Sequence, residues 1–128
     1  MKLLLDTHTF LWFVWDDPQL SLTAKGAIES DKNEIYLSAA TPWETSIKVS
    51  TGKLSIGQDV VPFFAEHMDI NNIVLLPILL AHIGIVSTMP FHHKDPFDRL
   101  LIAQSLIEQM PLISADSVFD RYGVERIW

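Results

Sequence analysis

Five short apolar runs punctuate this chain, and helix signals separate them. Lys2–Leu5, Glu34–Ala39, Ile73–Pro77, Leu112–Ala115 and Val124–Trp128 read as strands. Most are continuous apolar runs rather than alternating ones, so they belong to strands buried on both faces. Between them lie helical stretches with recognisable starts. Thr7 is a candidate cap for a helix over His8–Trp15, which Asp16-Asp17-Pro18 stops. Ser21 opens a helix from Leu22 to about Asp31. Thr41-Pro42-Trp43-Glu44 has Pro at a first helical position and capping-box spacing, with Gly52 ending the helix after about Thr51. Helices follow from Asp59 to about Met68, over Leu79–Thr88, and from Asp95-Pro96 to about Gln109, with a short one over Ser117–Tyr122. Strands alternating with helices predict a three-layer α/β/α sandwich around a central, mostly parallel sheet.

The rest of the sequence narrows the class. A length of 128 residues suits one domain, 1–128, and 48% hydrophobic residues suffice for a real core. No linker or repeat interrupts it. Cysteine is absent, so there is neither a disulfide framework nor a thiolate metal site. The apolar start carries a single Lys and places Asp6 inside its run, which argues against a signal peptide. The run Ile73–Val86, broken by Pro77 and His82, is too short to span a bilayer, so no membrane role is expected. A net charge of −7 excludes a broad basic coat for nucleic acid. It leaves room for acids concentrated at a metal site, and it suits a basic protein partner.

In open parallel sheets, ligands bind beyond the carboxyl ends of the strands. Four acids fall there: Asp6 after the first strand, Glu44 in the helix after the second, Asp98 at the start of the apolar helix, and Asp116 after Leu112–Ala115. Each has a plainer explanation. Glu44 completes a capping box with Thr41, Asp98 complements a helix dipole, and Asp116 caps a short helix. Asp95 is a natural N-cap before Pro96. Asp6 is the hardest to explain as a cap. One shared site is a simpler account than four caps at one sheet edge. Crowded carboxylates raise one another's pKa unless a cation neutralises them, and an all-oxygen cluster suits Mg²⁺ or Mn²⁺. With no Cys and no nucleophile-elbow serine, metal-activated water is the better nucleophile, with Glu44 or Asp98 orienting or deprotonating it.

Taken together, LLLDTH at 3–8, TPWETSIK at 41–48, HKDPFDRLLIAQS at 93–105 and LISAD at 112–116 resemble the acidic motifs of PIN-domain ribonucleases, and among them the VapC-type toxins of toxin–antitoxin pairs. The resemblance runs through essentially the whole chain. It implies a cytoplasmic Mg²⁺-dependent ribonuclease, a homodimer, and a cognate antitoxin protein that blocks the site. It carries catalytic roles to Asp6, Glu44, Asp98 and Asp116, with Asp6, Asp98 and Asp116 on the metal. Asp95 is an extra acid of the DPFD type, and Ser114 supplies a hydroxyl able to bond an acid or a metal water.

Further residues divide between RNA contact and structure. Lys48, Lys94 and Arg99 are candidates for phosphate contact, Arg99 foremost because it adjoins Asp98. His92 and His93 are adjacent, so their side chains diverge and a loop role is expected rather than a shared ion. His8, His67 and His82 are isolated and read as structural. Phe10, Trp12, Phe13 and Trp15 are dense for one buried stripe, so either some of them face a partner or all pack into the core. Other phosphoryl-transfer classes fit less well. A haloacid-dehalogenase phosphatase wants an acid where His8 stands, a receiver domain wants a late Lys that Pro111–Trp128 lacks, and an HD hydrolase wants an adjacent His-Asp. The rival of a different kind is a non-catalytic module that binds a protein.

Overall fold

A computed structural model describes residues 1–128. Five parallel strands form one sheet in the order β3-β2-β1-β4-β5. They are β1 (Lys2–Leu5), β2 (Glu34–Ser38), β3 (Val74–Leu76), β4 (Leu112–Ile113) and β5 (Arg126–Ile127). Six α-helices connect them: α1 (Thr7–Val14), α2 (Leu22–Glu29), α3 (Ala40–Ser50), α4 (Val60–Ile70), α5 (Leu80–Val86) and α6 (Pro96–Glu108). Ser117–Tyr122 is a 3-10 helix. The expected α/β/α architecture is present, its sheet wholly rather than mostly parallel, with β4 and β5 shorter than their apolar runs.

β1 is the keystone. It pairs with β2 from Lys2↔Glu34 to Leu5↔Leu37, and with β4 through Leu4↔Leu112 and Leu5↔Ile113. Leu3, Leu4 and Leu5 are all essentially inaccessible. Successive side chains of a strand point to opposite faces, so the run KLLL feeds two cores. Leu3 and Leu5 join Phe10, Ala24, Ile28 and Phe63 under α1, α2 and α4. Leu4 joins Leu101, Ile102, Leu112 and Phe119 under α6. An alternating strand could not have served both.

The strand order also fixes where a site can lie. The chain moves outward from β1 through β2 to β3, then returns to lay β4 on the other side of β1. The connections leave β1 and β4 in opposite directions, which opens a crevice at their carboxyl ends. Asp6 and Ser114 follow those two ends.

Two helix starts differ from expectation. Asp6, not Thr7, is the N-cap of α1, its Oδ1 accepting the Thr9 N–H at 2.7 Å. Thr7 is thereby the first helical residue, and its hydroxyl is free for the site. α3 begins at Ala40, one residue before Thr41, and no Thr41–Glu44 capping box forms. Ser38 Oγ instead accepts the Ala40 N–H. Pro42 is still accommodated, because the first four N–H groups of a helix lack intrahelical partners. Asp95 caps α6 as expected, accepting from Phe97 and Asp98 N–H, and Asp116 caps the 3-10 helix through Val118 N–H. Of the α1 aromatics, Phe10 is buried, Trp12 and Phe13 lie against the core, and Trp15 is exposed.

Leu4→Ala should remove a side chain with no room to relax between α6 and the sheet. A loss of about 3 kcal/mol is expected from urea unfolding of the metal-free chain, and a loss below about 1 kcal/mol would contradict the two-faced role of β1.

A candidate metal centre at the carboxyl ends of β1 and β4

Asp6 sits where β1 ends, 6% exposed. Its N–H donates to Ile113 C=O, which extends the β1–β4 ladder to the acid itself. Oδ1 is taken by the helix cap, and Oδ2 accepts a very short hydrogen bond from the Ser114 hydroxyl. Ser114 Oγ in turn accepts the Asp116 N–H at 3.0 Å. One hydroxyl thus ties the acid of β1 to the acid beyond β4, as a hydroxyl at this position was expected to do.

Glu44 reaches the same edge from α3. It is 3% exposed, with Oε1 accepting from Thr7 Oγ1 at 2.7 Å and Oε2 paired with Lys48 Nζ at 2.8 Å. Thr41 lies 3.1 Å from Thr7 Oγ1, so the residue expected to cap α3 instead helps to set Thr7.

Asp98, on the first turn of α6, carries the electrostatic strain. Its carboxyl is pushed up to about 8, first by burial, then by the charges of Asp95, Asp6, Glu44 and Asp116. Asp6, Glu44, Asp95 and Asp116 therefore lie near enough to oppose the ionisation of Asp98. His93 does not offset this at Asp98. Its Nε2 hydrogen-bonds Asp116 Oδ2 at 2.9 Å and stands 3.1 Å from Asp98 Oδ2. His93, Asp98 and Asp116 offer ligand atoms within 4.8 Å of one another. Asp6, expected on the metal, lies outside that tight triplet and contributes through charge and through Ser114.

His93 departs from expectation. It does lie in the loop before α6, but its ring enters the acid cluster, while His92 stays exposed with its ring edge on Tyr122. Adjacency correctly implied that the two rings diverge. It could not reveal that one of them diverges into the site. A signal was present in the motif itself, since HKDPFD places His93 two residues before the helix cap.

Arg99 and Lys48 are both engaged by other groups of the protein. Arg99 is buried, with its guanidinium turned to the loop before α6. Its guanidinium donates to the carbonyls of Pro90, His93, Val86 and Met89 and lies 4.0 Å from the Phe91 ring centroid. It clamps the loop that carries His93. Its rigid fork of five donors suits such a cluster of carbonyls. Lys48 is engaged by Glu44, and Lys94 alone of the three expected cations stands exposed without such a partner. Of the isolated histidines, His82 is structural as expected. It is fully buried, accepting from Leu79 N–H and bonded to Glu108 across α5 and α6.

The donor set is carboxylate oxygen with one imidazole beside it. Hard divalent ions favour such oxygens. A cation would also relieve the neighbouring charges that, after burial, push Asp98 up to about 8. The residues present therefore fit a divalent metal ion.

Carboxylates gathered at the switch point of a parallel α/β/α sheet stand where such folds bind ligands. The PIN domain family matches residues 3–125, and the chain belongs to it. No curated protein sequence matches the chain. Among solved structures it is similar to a chain of VapBC2 from Rickettsia felis, bound to a DNA fragment from its promoter. That match has a TM-score of 0.72 and 14% identity, covering 98% of this chain and 97% of the other. It is similar to FitAB bound to the IR36 DNA fragment, with a TM-score of 0.60 and 19% identity over 98% and 93% of the two chains. FitAcB from Neisseria gonorrhoeae gives the same score and identity over 98% and 96%. These likenesses establish the fold.

Two outcomes are expected. The unfolded Asp98 carboxyl titrates near 3.8 and the folded one near 8. The folded chain therefore holds an extra proton between these values, and the metal-free protein should lose stability as pH rises through that window. Asp98→Asn should remove this slope and raise the melting temperature at pH 8 by about 4–8 °C; a wild-type slope in the variant would contradict the origin assigned here. Arg99→Met should leave several carbonyls unpaired and cost about 2–4 kcal/mol in urea unfolding, with faster amide exchange in residues 86–93.

Proposed function

We propose that this chain is a metal-dependent endoribonuclease and the toxin of a toxin–antitoxin pair. The observation that carries this reading is the convergence of Asp6, Glu44 and Asp116 on Asp98, whose carboxyl is pushed up to about 8 first by burial and then by these charges and that of Asp95. Membership of the PIN domain family supports it, because PIN domains are generally nucleases.

Asp98 and Asp116 would hold the ion directly, with Asp6 completing the set through its free lone pairs or through water. Mg²⁺ is the expected ion, and Mn²⁺ suits the same oxygens. A bound ion of this kind supplies an acidified water and neutralises charge building on the phosphate. The side chains do the rest. Glu44, pinned by Thr7 and Lys48, is a fixed acceptor able to orient the attacking water. Ser114 keeps Asp6 and Asp116 in register. Asp95 acts as the helix cap that fixes Asp98, since both its role and its bonds are those of a cap. Lys94 is the cation best exposed for a substrate phosphate.

The partners follow from the same reading. RNA is the substrate. A net charge of −7, with four acids gathered at this crevice, would favour an antitoxin segment bearing Arg or Lys. The likeness to VapBC2 and FitAB supports such a partner. A homodimer is supported by exposed apolar side chains on edge strand β3 and on α5: Val74, Leu75, Leu80 and Ile83. No helix is long and apolar enough to cross a membrane.

The test is cleavage of a labelled total-RNA pool by purified protein in Mg²⁺, in Mn²⁺ and in EDTA. Discrete products that require metal are expected, with a loss of about 100-fold or more in Asp6→Ala and in Asp98→Ala. Both variants should fold, and Asp98→Ala should be no less stable than wild type, because it relieves repulsion. An antitoxin-free preparation giving no metal-dependent products would favour the non-catalytic binding module instead.

A further inference from the structure

We propose that His93 is the site's placeholder: in the metal-free chain its Nε2–H fills the gap between Asp98 and Asp116, so that ion binding must displace it. This rests on the metal-site reading above and concerns only what His93 does within it.

Geometry places Nε2 at 2.9 Å from Asp116 Oδ2 and 3.1 Å from Asp98 Oδ2. Those spacings admit either a ligand sharing an ion with two carboxylates or a donor bridging them. The far side of the ring decides between the two. Nδ1 faces the Asp95 N–H at 3.2 Å and must accept from it. The proton of the neutral ring therefore sits on Nε2, an assignment that follows from the hydrogen bonds. A ligating histidine has the opposite arrangement, with a bare nitrogen on the metal and the other ring N–H donating outward. His93 is wired as a donor.

The surroundings allow it to yield. Its backbone is anchored: the N–H donates to Tyr122 Oη at 2.7 Å, Tyr122 donates to Pro90 C=O, and the His93 carbonyl accepts from Arg99. The ring is held more lightly, stacked on Phe119 at 5.6 Å and 25°. Its neighbours in the loop, Phe91, His92 and Lys94, are exposed. Rotation of one side chain would free both carboxylates without moving the backbone.

The experiment is Mn²⁺ binding to metal-free protein at pH 8, followed by calorimetry. His93→Phe keeps a ring against Phe119 but has no N–H, while His93→Gln keeps an amide donor. His93→Phe should bind Mn²⁺ about 3- to 10-fold tighter than wild type, the fold-change of one modest hydrogen bond, and His93→Gln should lie nearer wild type. Equal or weaker binding by a folded His93→Phe overturns the inference. A readout on wild type needs no variant: the electron spin echo spectrum of its Mn²⁺ complex should lack nitrogen coupling. Observed nitrogen coupling would make His93 a ligand and overturn the placeholder role even if His93→Phe does not fold. Wild type that binds no Mn²⁺ would instead bring down the metal-site reading, and the inference with it.

Discussion

Like charge crowded at one sheet edge is the constraint around which this molecule is arranged. Burial and four neighbouring carboxylates hold Asp98 near 8, far above the ordinary range of an aspartate. A fold does not accumulate such a cluster without compensation. Compensation is visible on all sides: Thr9 N–H and Ser114 on Asp6, Thr7 and Lys48 on Glu44, Val118 N–H and His93 on Asp116. Asp98 receives the least. It is the least compensated acid of the network, and a divalent cation is a species that would relieve it.

The supporting structure exists to deliver these side chains. β1 is buried on both faces because helices cover both, and that burial fixes the point at which Asp6 leaves the sheet. Return of the chain to β4 beside β1 sets Ser114 against Asp6. α6 points its N-terminus at the cluster, where a negative first-turn residue also suits the helix dipole. Arg99 serves from the inner side of that helix, gathering the carbonyls of the preceding loop so that His93 has one address.

Much of this was legible in the sequence. Continuous apolar strands announced a parallel sheet, and acids at their ends marked a candidate site, because strand periodicity and the ends of apolar runs are local properties of the sequence, whereas the strand order is not. Caps were legible in kind but not always in person. Asp6 took the role assigned to Thr7, since a residue ending a strand can cap a helix that begins at once. Glu44 left its capping box for Thr7, a contact 37 positions away that no local rule contains. Arg99 and His93 were misjudged for one shared reason. The direction of a side chain in the loop before α6 depends on which carbonyls and acids the fold brings opposite, and that is settled by tertiary packing alone.

The most direct measurement is the titration of the Asp98 carboxyl carbon by NMR, in EDTA and then in saturating Mg²⁺. A midpoint near 8 without metal, falling well below it with Mg²⁺, is the expected result. An ordinary aspartate midpoint in both conditions would mean that the acids do not share a field, and the metal centre would lose its physical basis.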